Sequence, residues 1–117
     1  MLPTDENTED DNHLEATTFF DSGNEYLSIG QYEQAIQDYD EAIRLDPQNA
    51  EAYTDRGVAY ASLDQDEQAI QDFDEAIRLD PQDTDAYYNR SLAYEALGKT
   101  IEAERDFAKA KELGYDP

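Results

Sequence analysis

The chain has 117 residues, enough for one domain, and carries 30 acidic residues against 8 basic ones, a formal net charge of −22. Such a surface repels phosphate backbones and anionic lipid, so no nucleic acid and no membrane are expected as partners, whereas basic partners are favoured. Cysteine is absent and His13 is the single histidine, which excludes disulfides, thiolate chemistry and zinc sites of the Cys/His kind.

Residues 1–12 are acidic, polar and without periodicity, and are expected to form a disordered tail ahead of a domain spanning 13–117. They lack the basic and apolar regions of a secretory signal, and no apolar run approaches the ~20 residues of a membrane span. A cytoplasmic location is therefore expected.

From residue 13 onward the pattern repeats. Residues 33–48 (EQAIQDYDEAIRLDPQ) return as 67–82 (EQAIQDFDEAIRLDPQ), an offset of 34 with one difference, Tyr39 against Phe73. The same offset aligns Gly23, Gly57 and Ser91; Tyr26, Tyr60 and Tyr94; Ala35, Ala69 and Ala103; Tyr39, Phe73 and Phe107; and Ala42, Ala76 and Ala110. Pro47 matches Pro81, but Tyr115 stands there in the third copy. The copies are 16–49, 50–83 and 84–117, with net charges of −6, −8 and −2.

Each copy reads as two amphipathic helices, predicted at 13–29, 32–45, 50–63, 66–79, 84–97 and 100–113. Ala35, Ile36, Tyr39, Ala42 and Ile43 form a stripe at helical spacing in the second helix of copy one. Gly30 and Gly98 punctuate the turn inside their copies, and Asp64 takes that place in the second. Proline disfavours helical geometry in the residue before it, so Asp46-Pro47 and Asp80-Pro81 close the second helices. Asn49 and Asp83 then fall where N-caps belong, and Leu113-Gly114 reads as a final helix stop. Gly23, Gly57 and Ser91 allow close approach of paired helices, with the rings at 39, 73 and 107 filling the space between units. No copy can bury its stripe alone, so stability comes from stacking.

This arrangement resembles the tetratricopeptide repeat family, whose motif is a bulky aromatic, a Leu-Gly pair, a Tyr, then Ala, Phe and Pro. Phe19, Tyr53 and Tyr87 stand for the tryptophan, and Ser22, Arg56 and Arg90 for the leucine. The resemblance implies an all-α, right-handed α-solenoid of three helix–turn–helix repeats, and a scaffold or adaptor that binds a peptide or partner protein in its concave groove. By repeat register the groove would be lined by Thr17, Phe20, Asp21, Asn24, Leu27 and Ser28 in copy one. Copy two would add Glu51, Thr54, Asp55, Val58 and Ala61, and copy three Asp85, Tyr88, Asn89, Leu92 and Glu95. None of these is a packing position of the family motif.

The family's best-known mode clamps the C-terminal carboxylates of heat-shock chaperones with lysines, asparagines and an arginine. This chain keeps Asn24, but has Phe20 and Asp85 in the lysine places, Asp55 for the second asparagine and Asn89 for the arginine. The groove should therefore prefer a basic or apolar segment. An alternative is self-assembly, with copies stacking through their uncapped terminal repeats into homo-oligomers. Arg56 and Arg90 occupy equivalent places and are expected in structural ion pairs. The Asp-rich runs at 64–67 and 80–83 lack the alternating ligands, turn glycine and distal glutamate of a calcium loop. No histidine within the repeats, no nucleophile motif and no phosphate-cradling loop is present, so no enzyme activity, cofactor or metal is expected.

Overall fold

The computed structural model describes residues 8–116. Six α-helices follow one another there: α1 (Thr8–Ser28), α2 (Tyr32–Leu45), α3 (Ala50–Ser62), α4 (Asp66–Leu79), α5 (Thr84–Ala96) and α6 (Thr100–Glu112). The starts and ends of α2 and α4 coincide with those expected, and α3, α5 and α6 each stop one residue earlier. The main difference is α1, which starts five residues ahead of the expected position. Residues 8–12, expected in a disordered tail, are helical. Asp10 and Asp11 fall in the opening turns, where the positive end of the helix dipole stabilises carboxylates. The remainder of that tail, 1–7, lies outside the described residues.

The turns within each repeat share one hydrogen-bond pattern. Gln31, Gln65 and Lys99 donate their backbone N–H to the carbonyls of Tyr26, Tyr60 and Tyr94, five residues back. That geometry needs a left-handed residue, supplied by Gly30 (φ 79°), Asp64 (φ 60°) and Gly98 (φ 75°). Aspartate tolerates this conformation because its short polar side chain can hydrogen-bond locally. Between repeats, the Asn49 side chain accepts from the Ala52 N–H and that of Asp83 from the Ala86 N–H, capping α3 and α5. Tyr115 N–H reaches the Ala110 carbonyl beyond Gly114 (φ 114°), so the last helix closes in the same way.

Packing follows the repeat. Helices α1, α3 and α5 each pair with the helix that follows, α2 meets α3 and α4 meets α5, and the first helices also touch one another in a row. The result is an elongated stack of 62 × 28 × 22 Å. Tyr39 and Phe73 are fully buried, each worth about 1.5–3 kcal/mol of transfer free energy. Their rings occupy the space left by a glycine. A Cβ on Gly57 would lie 2.5 Å from Phe73 Cε1, and one on Gly23 would lie 2.6 Å from Tyr39 Cε1. The glycines thus admit the rings of their own repeat, and the next repeat closes over them with an alanine. Ala59 seals Ala35 and Tyr39, and Ala93 seals Ala69 and Phe73. Phe107 has no such lid and stays partly exposed.

The two arginines form a ladder along the stack. Arg56 donates to Asp72 of its own repeat through Nε (2.9 Å) and Nη2 (2.7 Å), and to Asp40 of the preceding repeat through Nη1 (2.8 Å). Arg90 repeats this with Asp106 and Asp74. Each guanidinium also lies within 6.0 Å of two tyrosine rings, Tyr53 and Tyr60 or Tyr87 and Tyr94. Burial lowers the affinity of both arginines for their proton, but the carboxylate hydrogen bonds outweigh it and hold them more firmly charged than usual. In copy one the corresponding residue is Ser22, which donates to Asp38 at 2.6 Å.

Candidate functional site

The residues expected to line the groove separate into three groups. The first belongs largely to the core. Phe20 and Leu27 pack against the cluster around Tyr39, with the Phe20 and Tyr39 ring centroids 6.1 Å apart. Val58 and Ala61 pack against the cluster of Ala69, Phe73 and Ala93. Thr54 is 4% exposed and its hydroxyl donates to Asp83 at 2.8 Å, tying α3 to the cap of α5. Asn24 accepts a 2.6 Å hydrogen bond from the Tyr39 hydroxyl, so its carbonyl is committed to the core. None of these is a packing position of the family motif, yet here they pack against the core or hydrogen-bond within it. A first helix contacts its own partner and a neighbouring unit, which leaves only a narrow strip open.

The second group is acidic. Glu51, Asp55 and Asp85 converge with Asp80 and Asp83 around an open pocket of about 280 Å³ between α3 and the start of α5. Asp80 and Asp83 were not among the expected groove residues. They arrive from the α4–α5 connection, and the signal available was the run 80–83 itself. Burial, followed by the charges of Glu51, Asp83 and Asp85, pushes the Asp55 carboxyl up to about 6. No group of His, Cys, Asp or Glu among the described residues has the arrangement of a metal site.

That shift has a measurable consequence. Native Asp55 takes up a proton near pH 6, whereas the unfolded residue does so near 3.8, so its contribution to stability is complete below pH 4 and lost as pH rises through 6. Asp55→Asn should stabilise the fold at pH 7 by about 1–2 kcal/mol, after solvent screening of a partly exposed group. The gain should vanish as pH falls to 4. Urea titrations of both proteins across that range would test this, and a gain that persists at pH 4 would refute the assignment.

The third group lies at the far end. Leu92 is 46% exposed, and Tyr88 stacks on Tyr115 with centroids 4.4 Å apart. Both line an opening of about 500 Å³ between α5 and α6. Among the rest, Asp21 and Glu95 are exposed, Thr17 and Ser28 bond back to their own helix, and Asn89 donates to the Asp85 carbonyl. His13 is exposed within α1, with Nδ1 4.0 Å from Asp46.

Helical hairpins stacked in register, with their first helices in a row, define an all-α helical-repeat solenoid. A TPR repeat family model matches residues 23–64 and 59–98, and a tetratricopeptide repeat model matches 84–113. The chain belongs to the tetratricopeptide repeat family. Among solved structures it is similar to the first TPR of Spaghetti (RPAP3) bound to the HSP90 peptide SRMEEVD, at 33% identity and a TM-score of 0.85 over 87% of this chain and 81% of that one. It is likewise similar to the Arabidopsis OM64 TPR domain, at 33% identity and a TM-score of 0.87 over 88% and 85%. The second TPR domain of human RPAP3, in complex with the HSP70 peptide SGPTIEEVD, is 35% identical with a TM-score of 0.84 over 88% and 86%. A comparison with curated proteins finds no match. No helix among the described residues is long and apolar enough to cross a membrane.

Proposed function

We propose that the chain is a protein-interaction module whose row of first helices receives a peptide, and that this peptide carries lysine or arginine with apolar anchors. Peptide binding has its support in the relatives, since two TPR domains of RPAP3 hold SRMEEVD and SGPTIEEVD. The preference for a basic peptide rests on the five carboxylates around the pocket between α3 and α5. At an effective dielectric constant of about 20, unit charges 4 Å apart interact by about 4 kcal/mol, so carboxylates here turn attraction for an acidic tail into repulsion. Burial, together with these charges, pushes the Asp55 carboxyl up to about 6, so its ionised form at neutral pH carries a cost that an incoming cation relieves.

Fluorescence anisotropy with labelled SRMEEVD and a counterpart whose three acidic residues are replaced by lysine, SRMKKVK, provides the test. The basic peptide should bind at least about ten-fold more tightly, and Asp55→Lys with Asp85→Lys should abolish that preference. Tighter binding of SRMEEVD would overturn the basic-ligand reading while leaving a peptide-binding module intact. End-to-end stacking of copies is the weaker alternative. The first helix of a following repeat inserts an alanine, Ala59 or Ala93, where α1 carries Glu25.

A further inference from the structure

Each repeat except the last receives the next first helix in a slot between its own two helices. In the second repeat the slot has Ala69 and Phe73 as its floor, with Val58, Ala61 and Ile70 around them, and Ala93 of α5 inserts into it. Repeat register places Ala103 and Phe107 on the floor of the corresponding slot in the third repeat, with Leu92, Glu95 and Glu104 at its sides. These residues do line one opening of about 500 Å³. Two apolar positions, Ala61 and Ile70, have thus become Glu95 and Glu104. Both glutamates are exposed, and neither forms an ion pair among the described residues. Tyr115 stacks on Tyr88 and meets Phe107 edge-on at 6.0 Å, while Lys111 Nζ lies 5.6 Å from the Phe107 centroid. They screen part of that aromatic pair and leave Leu92 and the two glutamates uncovered.

The stack itself shows what geometry such a slot accepts. Inserting helices present alanines seven residues apart, Ala52 and Ala59 on α3 and Ala86 and Ala93 on α5, all at most 2% exposed. A second copy does not supply this. Its α1 carries Thr18 and Glu25 at those positions, both exposed, and would bring a carboxylate to Glu95 and Glu104. The arginine ladder would also break, because Ser22 stands where Arg56 and Arg90 reach back, and Ala108 stands where Asp40 and Asp74 receive them. What fits both the floor and the charge is a helix with a small-residue face flanked by cations.

We infer that the slot between α5 and α6 is a docking site for a basic, alanine-faced helix of a partner protein, separate from the acidic pocket between α3 and α5. A suitable probe is a fluorescein-labelled peptide of the α5 segment, Thr84–Ala96, carrying Asp85→Lys and Glu95→Lys and keeping both alanines. It should bind saturably, and amide NMR shifts should concentrate at Leu92, Ala103 and Phe107. In the protein, Glu95→Lys with Glu104→Lys should weaken binding at least about ten-fold, as should Leu92→Gln, while a charge reversal at the exposed Asp10 of α1, Asp10→Lys, changes it less than about two-fold. Ala86→Leu with Ala93→Leu in the peptide should abolish binding, because the slot takes a methyl group rather than a longer side chain. Circular dichroism and melting of the protein variants confirm that they fold, which substitutions at these exposed positions should permit. Three results would each overturn the assignment: no saturable binding, undiminished affinity in the Glu95/Glu104 variant, or shifts confined to α1 and α3. A dimer by sedimentation that the peptide displaces would overturn it in favour of a second copy.

Discussion

Replacing Arg56 with alanine is expected to lower the unfolding free energy at pH 7 by about 3–5 kcal/mol, because it leaves a buried carboxylate without its counter-charge. Asp72 is 5% exposed and takes two hydrogen bonds from this one guanidinium. Burial already pushes Asp72 upward from the usual carboxylate range, and Arg56 is what opposes it. Without the arginine the carboxyl rises further. The native variant then holds a proton at a pH where the unfolded chain does not, so its stability recovers as pH falls through the raised value towards 4. The deficit relative to the parent should shrink accordingly. Urea unfolding followed by circular dichroism at pH 7 and pH 5 measures both effects. Arg56→Met with Asp72→Leu should regain most of the loss, since a packed apolar pair replaces a desolvated ionic one. A single-variant loss below about 1 kcal/mol would mean that the pair behaves as a solvent-exposed bridge.

Phe73→Ala is expected to cost a further-reaching 3–5 kcal/mol, about what deleting a fully buried ring removes. The ring fills the space left by Gly57, and a backbone without a Cβ has nothing to move into the hole. Since the ring also carries Ala93 of the next repeat, its loss should loosen the joint between α4 and α5 as well as the hairpin itself. The subtler exchange is Phe73→Tyr, the residue found at the same place in copy one. There the Tyr39 hydroxyl donates to Asn24, whereas the position equivalent to Asn24 in copy two is Val58. A hydroxyl at 73 therefore lacks that acceptor and should cost about 1–3 kcal/mol. Adding Val58→Asn should restore much of it. Thermal melts of the two single variants and the double variant close the cycle, and additive losses would show that the two positions are not coupled.

That pairing also accounts for the one difference between two otherwise identical 16-residue runs. The sequence shows Tyr39 against Phe73, and the fold shows that each ring matches a residue 15 positions earlier on the facing helix. It likewise shows that Asn24, which resembles a retained ligand-binding asparagine, accepts the hydroxyl of a core tyrosine. Register alone was enough to put Glu51 and Asp55 on α3 and Asp85 on α5. Their company with Asp80 and Asp83 was not legible in it, because that depends on where the α4–α5 connection passes over α3.

Repeat number, helix bounds, left-handed turn positions and caps all follow from interactions spanning five residues or fewer, or from an exact 34-residue recurrence, so they could be read along the chain. The extension of α1 to Thr8 escaped because acidic composition was read as disorder, although carboxylates at a helix start are stabilising. The exposed strip of each first helix escaped for a different reason. Val58 is half-buried whereas its equivalent Leu92 is exposed, and Phe73 is fully buried whereas its equivalent Phe107 is half-buried, because each depends on whether another unit lies alongside. In a stack, a residue's environment is set as much by its neighbour's presence as by its own register, and that is a property of three-dimensional packing.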